Sequence, residues 1–277
     1  MKQEIDFIKF NPTQNMTILV KTNYPVEEYS HIASKIMSYD NVYAEQVGFI
    51  EKPINNKAAA YLQMAGGEFC GNACMALAAY IASENGLKLN DLTEILLEVS
   101  GTDNLIMCQV KRNLDEYYCQ VTMPFPKRIE TRTIKYDGSD LNIVIVRYHE
   151  FIHIVIEVEE FSKTEREKAQ SLAKLLGVTL GSYLIGILLY KSKSHELAPL
   201  IYVTHLDSMI WERGCGSGTA SLGAYLAWKN KGEIVAKIRQ PGGIINVAAT
   251  CYKEELTSLR IEGSVGIVAQ GKAFIDV

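Results

Sequence analysis

Most of the chain reads as short strands of period two, set apart by turn residues, with only a few stretches of helical period among them. Residues 5–10 and 16–20 form paired strands around the turn Asn11-Pro12-Thr13-Gln14-Asn15. Pro25 suits the first turn of a helix in which Val26, Tyr29, Ala33, Ile36 and Met37 keep a 3.6-residue spacing. Strands follow at 42–51 and 58–65, then a helix from Cys70 to about Asn85 stopped by Gly86, then strands at 94–99, 104–111 and 116–123. Met123-Pro124-Phe125-Pro126 stiffens the chain and marks a crossover between two halves. The second half has strands at 142–147 and 151–158. A helix over 163–176 comes next, opened by Ser162 and Glu165 as a capping box and striped by Ala169, Leu172, Ala173 and Leu176. Strands at 183–191 and 199–205 lead to a helix that begins at Cys215 and ends before Gly232, and strands at 234–239, 244–250, 258–262 and 266–275 close the chain.

Two of these helices are copies of one another. The run from Cys70 to Ala82 recurs without a gap 145 residues later, from Cys215 to Ala227, with six of thirteen positions identical and most others exchanging small for small. So long a period indicates a duplicated domain rather than a solenoid. The predicted fold is therefore α+β, with two pseudo-symmetric domains, each a mostly antiparallel sheet curled around a central helix. Such a wrapping explains why these helices are apolar or small on every face. The first domain covers 1–122, completed by 264–277, and the second covers 123–263.

Composition narrows the function without naming it. The hydrophobic content of 48%, charged content of 22% and net charge of −4 describe an ordinary globular protein with no basic patch for nucleic acid. No apolar run approaches a membrane span and Met1-Lys2-Gln3-Glu4 opens no signal peptide, so the expectation is a cytoplasmic protein with no membrane partner. In that compartment six cysteines are thiols, and their spacing proposes neither a metal site nor a redox dithiol.

The chemistry lies in the duplicated helix starts. Cysteine at a helix N-terminus sits where unpaired backbone N–H groups favour thiolate and bind anions. A buried packing role is the alternative for either cysteine alone. The duplication argues against it, because Cys74 became Thr219 while Cys70 and Cys215 both kept sulfur. If the two halves face one another, two thiols meet one substrate. One thiolate then removes a proton from carbon while the other thiol delivers one to the opposite face. Gly71, Asn72, Gly216 and Ser217 supply backbone donors for a carboxylate, and no cofactor or metal is called for. The Gly216-Ser217-Gly218 triplet lacks the context of a nucleotide fingerprint. Cys74, Cys108, Cys119 and Cys251 read as packing.

The segments Gly67-Glu68-Phe69-Cys70-Gly71-Asn72 and Trp211-Glu212-Arg213-Gly214-Cys215-Gly216-Ser217-Gly218 resemble the two active-site motifs of the diaminopimelate epimerase superfamily of cofactor-independent, two-thiol racemases and epimerases. The resemblance spans the chain and takes in Asn15, Glu45-Gln46, His153 and Gln240-Pro241-Gly242-Gly243. Within the superfamily, residues 11–20, 45–50 and 199–202 are similar to the histidine racemases of the staphylopine metallophore pathway. The resemblance implies an amino-acid substrate and a homodimer. It implies that Asn15, Gln46 and Glu212 contact the substrate, Glu212 at its α-ammonium. Glu45 is either a partner for the imidazole or a solvated strand carboxylate. His153 is either an electrostatic aid or a structural strand histidine. Two departures bear on the substrate. Gly214 abuts Cys215 where diaminopimelate epimerases carry a longer loop, and Phe151-Ile152 replaces an Asn-Pro before His153. Both remove polar groups that would hold a distal amino-carboxylate, which favours histidine. The rival expectations are diaminopimelate epimerase or another racemase of the same fold, a thiol redox sensor, and an amino-acid-binding protein without catalysis.

Overall fold

A computed structural model describes residues 2–149 and 151–276. The chain divides into two compact units, Met1–Thr122 with Glu262–Val277, and Met123–Ile261. The first unit runs β1 (Lys2–Pro12), β2 (Thr17–Val20), α1 (Tyr29–Ile36), β3 (Gln46–Glu51), β4 (Ala60–Met64), α2 (Gly71–Glu84), β5 (Leu92–Val99), β6 (Ile106–Arg112) and β7 (Tyr117–Thr122). The second runs β8 (Arg128–Tyr136), β9 (Ser139–Arg147), β10 (Phe151–Glu157), α3 (Lys163–Leu180), β11 (Leu184–Lys191), β12 (Glu196–Val203), β13 (Ser208–Trp211), α4 (Gly216–Asn230), β14 (Glu233–Gln240) and β15 (Gly243–Tyr252). β16 (Glu255–Asp276) starts in the second unit and ends in the first.

In the first unit β1 to β7 neighbour one another in chain order. β16 pairs with β7 on one side and with β1 on the other, so the order returns on itself. Most pairings are antiparallel; β2–β3 and β4–β5 are parallel. α2 lies against every strand from β1 to β7. A helix enclosed this way has no solvent face, and its side chains from Gly71 to Ala79 are all buried. Alanine supplies both the highest helix propensity and a narrow cylinder, while Met75 and Leu77 fill the wider gaps, each burial worth roughly 1.5–3 kcal/mol. α1 covers other strand faces, setting Tyr29, Ile32, Ala33 and Ile36 against Ile5, Phe7, Ile18, Val20 and Phe49. With helices on both sides, β2 is buried at every position.

The second unit repeats the plan in the order β16-β15-β14-β12-β11-β10-β9-β8, with β13 attached to β12. β10–β11 and β12–β14 are its parallel pairs. α4 packs on β9, β10, β14 and β15. The approach of β15 is so close that a Cβ at Gly223 would lie 2.3 Å from a Val247 methyl, which is why the helix carries glycine there. α3 covers other strand faces with Ala169, Leu172, Ala173 and Leu176 against Ile154, Ile156, Ile187 and Leu200. Its Ser162 Oγ accepts the Glu165 N–H at 3.2 Å.

Several boundaries differ from the sequence reading. α3 continues to Leu180, because Gly177 is accommodated against Tyr202 and Thr204, and the helix stops instead at Gly181 in the left-handed region. The expected strands 258–262 and 266–275 are one strand, since Gly266 stays in register opposite Asn11 rather than breaking the ladder. β3 starts at Gln46 rather than at 42, after Tyr43 turns the chain with φ 58°. β8 and β13 were not anticipated. β8 is the last strand in the order, its sequence Arg-Ile-Glu-Thr-Arg-Thr-Ile-Lys-Tyr is as charged as edge strands are, and it is joined to β9 by an Asp137-Gly138 turn with positive φ at both residues. No helix among the described residues is long and apolar enough to cross a membrane.

Candidate active site

In the first unit, Cys70 is the N-cap of α2, extended at φ −130° and ψ 107°, and its carbonyl accepts the Cys74 N–H at 3.0 Å. The segment before it is pinned from outside the helix. Ser100 Oγ donates to the Glu68 carbonyl at 3.0 Å and accepts the Met64 N–H at 2.9 Å. Gly101, at φ +77°, lies so close that a Cβ would be 2.3 Å from the Phe69 nitrogen. The Cys70 side chain is partly exposed, whereas Gly71 and Asn72 in the first helical turn are buried. An α-helix leaves its first N–H groups without intrahelical acceptors, so these residues present donors beside the thiol.

The β1–β2 turn and the start of β3 bring three more of the expected residues together. Thr13 and Gln14 occupy the left-handed region, Asn11 Oδ1 accepts the Gln14 N–H, and Asn15 is buried with its N–H on the Pro12 carbonyl. Asn15 Nδ2 donates to Glu45 Oε2 at 3.3 Å. The backbone N–H groups of Glu45 and Gln46 both reach the Met16 carbonyl, and Gln46 pairs with Thr17 in the parallel ladder. Asn15 Oδ1 is a buried acceptor with no hydrogen-bond partner among the described residues.

In the second unit, Cys215 is the N-cap of α4 with nearly the same backbone, φ −111° and ψ 107°, but it is buried. Its sulfur accepts the Gly218 N–H at 3.3 Å and lies 3.6 Å from Ser217 Oγ. The first-turn N–H groups of Gly216 and Ser217 have no acceptor within α4. Glu212 is placed by its N–H on the Pro199 carbonyl of β12. Burial pushes the Cys215 thiol well above the usual cysteine range. The Glu212 carboxylate adds to this by charge and hydrogen bonding, while Ser217 and the Gly218 N–H oppose it.

His153 lies beneath α4 and is wholly buried. Its Nδ1 is 2.7 Å from Ser221 Oγ, which donates to the Tyr148 hydroxyl at 3.0 Å. The other edge of the ring packs on Gly186, where Nε2 has no partner among the described residues. Burial lowers its pKa to about 3 against a backbone hydrogen bond with Ser217 that favours the charged form, so the imidazole is neutral.

Residues 4–274 match the sequence family described as the histidine racemase CntK N-terminal domain. The chain belongs to the histidine racemase family. It is 33% identical over 277 residues to a histidine racemase of Staphylococcus aureus, covering 99% of both chains, and 32% identical to one of Fusobacterium nucleatum, covering 99% of this chain and 98% of the relative. Its fold is similar to that of a hydroxyproline epimerase from Agrobacterium vitis, with a TM-score of 0.74, 11% identity and coverage of 100% and 95%. A probable proline racemase from Agrobacterium radiobacter follows at a TM-score of 0.71, 12% identity and coverage of 99% and 92%. These structures share the α+β architecture, and the relatives make this family member an isomerase.

The two helix starts of this histidine racemase family member are not equivalent. α4 is capped by its own cysteine sulfur and α2 is not. Around Cys215 two polar residues stand that the sequence reading did not put in the site. Gln240 and Thr219, both buried, bond to its backbone. The sequence signal was a glutamine directly before Pro241-Gly242-Gly243, and a hydroxyl where the first copy has Cys74. Among the described residues no group of three or more His, Cys, Asp or Glu side chains is arranged to hold a metal ion.

Proposed function

We propose that the chain interconverts L- and D-histidine by a two-thiol mechanism, with Cys70 and Cys215 as the acid and base. The observation that carries this reading is the recurrence, once in each unit of a chain matched end to end by histidine racemases, of a cysteine N-cap followed by a buried first helical turn. Inversion by this route needs a thiolate on one face of the α-carbon and a thiol on the other. The thiolate takes the α-proton and becomes S–H, the electron pair passes into the carboxylate, and the second thiol returns a proton to carbon and is left as thiolate. The N–H groups of Gly71, Asn72, Gly216 and Ser217 stabilise the charge that gathers on the carboxylate oxygens. Asn15, Gln46 and Glu212 contact the substrate, Glu212 at the α-ammonium, and Glu45 meets the imidazole. His153 acts from beneath α4, held neutral by its burial. The substrate is a small amino acid, and the proposal extends to a homodimer acting in the cytoplasm with no added cofactor.

Reduced protein given L-histidine in deuterated water tests the substrate and the chemistry together. The expected product is D-histidine carrying deuterium at the α-carbon, without added pyridoxal phosphate or metal. No turnover of histidine beside clear turnover of diaminopimelate defeats the substrate assignment. Inversion of histidine without solvent deuterium in the product defeats the proton-transfer route.

A further inference from the structure

A closed ring of hydrogen bonds holds the backbone of Cys215 from both sides. The Cys215 N–H donates to Gln240 Oε1 at 2.8 Å, Gln240 Nε2 donates to Thr219 Oγ1 at 2.7 Å, and Thr219 Oγ1 donates to the Cys215 carbonyl at 2.7 Å. The direction of the ring is fixed by chemistry. A backbone N–H can only donate, so the amide oxygen must face it. The amide nitrogen can only donate, so the threonine hydroxyl accepts from it and sends its own proton to the carbonyl. All three bonds are buried, where a polar group left without a partner costs more than a surface hydrogen bond contributes. A second tie comes from the same turn: the Gly242 N–H donates to the Arg213 carbonyl at 2.7 Å, two residues before the cysteine. The turn after β14 therefore grips the chain on either side of Gly214.

Resting on the two-thiol reading, we propose that Gln240 is a positioning residue for racemisation, its carboxamide closing with Thr219 the ring that fixes the Cys215 backbone so that the sulfur stays on the Gly218 N–H. With N–H and C=O of Cys215 both tied, the side-chain torsion is the freedom left to the sulfur, and a general acid or base gains from such fixed geometry. The first copy is built differently. The place of Thr219 is taken by Cys74, whose thiol burial pushes well above its usual range, and a thiol is a weak hydrogen-bonding group. The threonine hydroxyl that closes the ring at Cys215 thus has no counterpart at the matching position of the first copy.

The test uses Gln240→Met, which keeps length and loses both hydrogen bonds, with Thr219→Val and Thr219→Ser. L- and D-histidine have equal free energies, so kcat/KM must fall equally in both directions and cannot report which thiol is disturbed. Each thiol is therefore read separately, by its rate of alkylation with iodoacetamide followed by peptide mapping. Gln240→Met and Thr219→Val are expected to lose about 10- to 100-fold in kcat with KM unchanged and to alkylate Cys215 faster than the parent, with Cys70 unaltered. Thr219→Ser, which retains the hydroxyl, restores parental behaviour in both assays. Parental kcat and parental Cys215 alkylation in Gln240→Met overturn the proposal, as does an equal change at both thiols, which marks general loosening. Alkylation needs no substrate, so failure of the parent to racemise histidine overturns the substrate reading while leaving this arm able to decide the ring.

Discussion

His153 shows how a side chain near chemistry can be held in one charge state by its surroundings. Its neighbours are the Tyr148 and Phe151 rings, Ser221 and Gly186, none of them charged, so a backbone hydrogen bond with Ser217 only partly offsets the loss of hydration that a proton would bring. The folded pKa of about 3 lies below the ordinary 6.5, so the unfolded chain binds the proton first. The stabilisation is fully present above about pH 6.5 and is lost as pH falls through that value towards 3. Urea midpoints of the parent and His153→Gln between pH 7 and pH 4 should converge as pH falls, because the parent alone carries this proton uptake. A constant gap between the two across that range contradicts the assignment. Cys74, one turn along the same helix from Cys70, is likewise enclosed, and burial pushes its thiol well above the usual range as it does that of Cys215, so burial alone does not separate packing from proton transfer.

The helix starts are positioned by elements far from them in sequence, and Gly101 is the clearest case. Its left-handed backbone and its contact with the Phe69 nitrogen let the β5–β6 connection press on the chain just before Cys70. Gly101→Ala should therefore cost about 1–3 kcal/mol of stability and lower racemisation by displacing Cys70. Gly138→Ala has a similar φ with nothing within 4 Å, and should cost about 1–2 kcal/mol without any loss of kcat. Equal effects of the two on kcat would show that the contact at Phe69 does not position the thiol. Both helix starts, the duplicated plan and most strands were legible in the sequence, because alternation and small-residue runs are local signals. What was not legible depends on partners. β8 reads as polar because it is an edge, the last turn of α3 depends on Tyr202 and Thr204 packing on Gly177, and Gln240 has meaning only once it meets the Cys215 N–H. Asn15, Glu45 and Gln46 stood in the segments that carry a resemblance, and the bonds of Glu45 and Gln46 to the Met16 carbonyl and of Asn15 to Glu45 could not be read from spacing.

Each half of the duplicated chain packs strands around a helix that opens with a cysteine, yet the surroundings of the two cysteines differ. Cys215 is buried, capped by a helix N–H and tied by Gln240, while Cys70 is partly exposed. The most direct measurement of the account is to follow racemisation and α-proton exchange together in deuterated water for Cys70→Ser, Cys215→Ser and the control Cys74→Ser. Loss of the acid or base should cost about 10²-fold or more in each active-site variant, since a hydroxyl of far higher pKa cannot replace a thiol. Each single variant should still bind histidine through backbone donors and exchange, at most, the α-proton of one enantiomer with retention, the two variants choosing opposite enantiomers. Cys74→Ser should racemise as the parent does. Racemisation near the parental rate by either active-site variant, or inactivity confined to Cys74→Ser, would contradict the two-thiol mechanism.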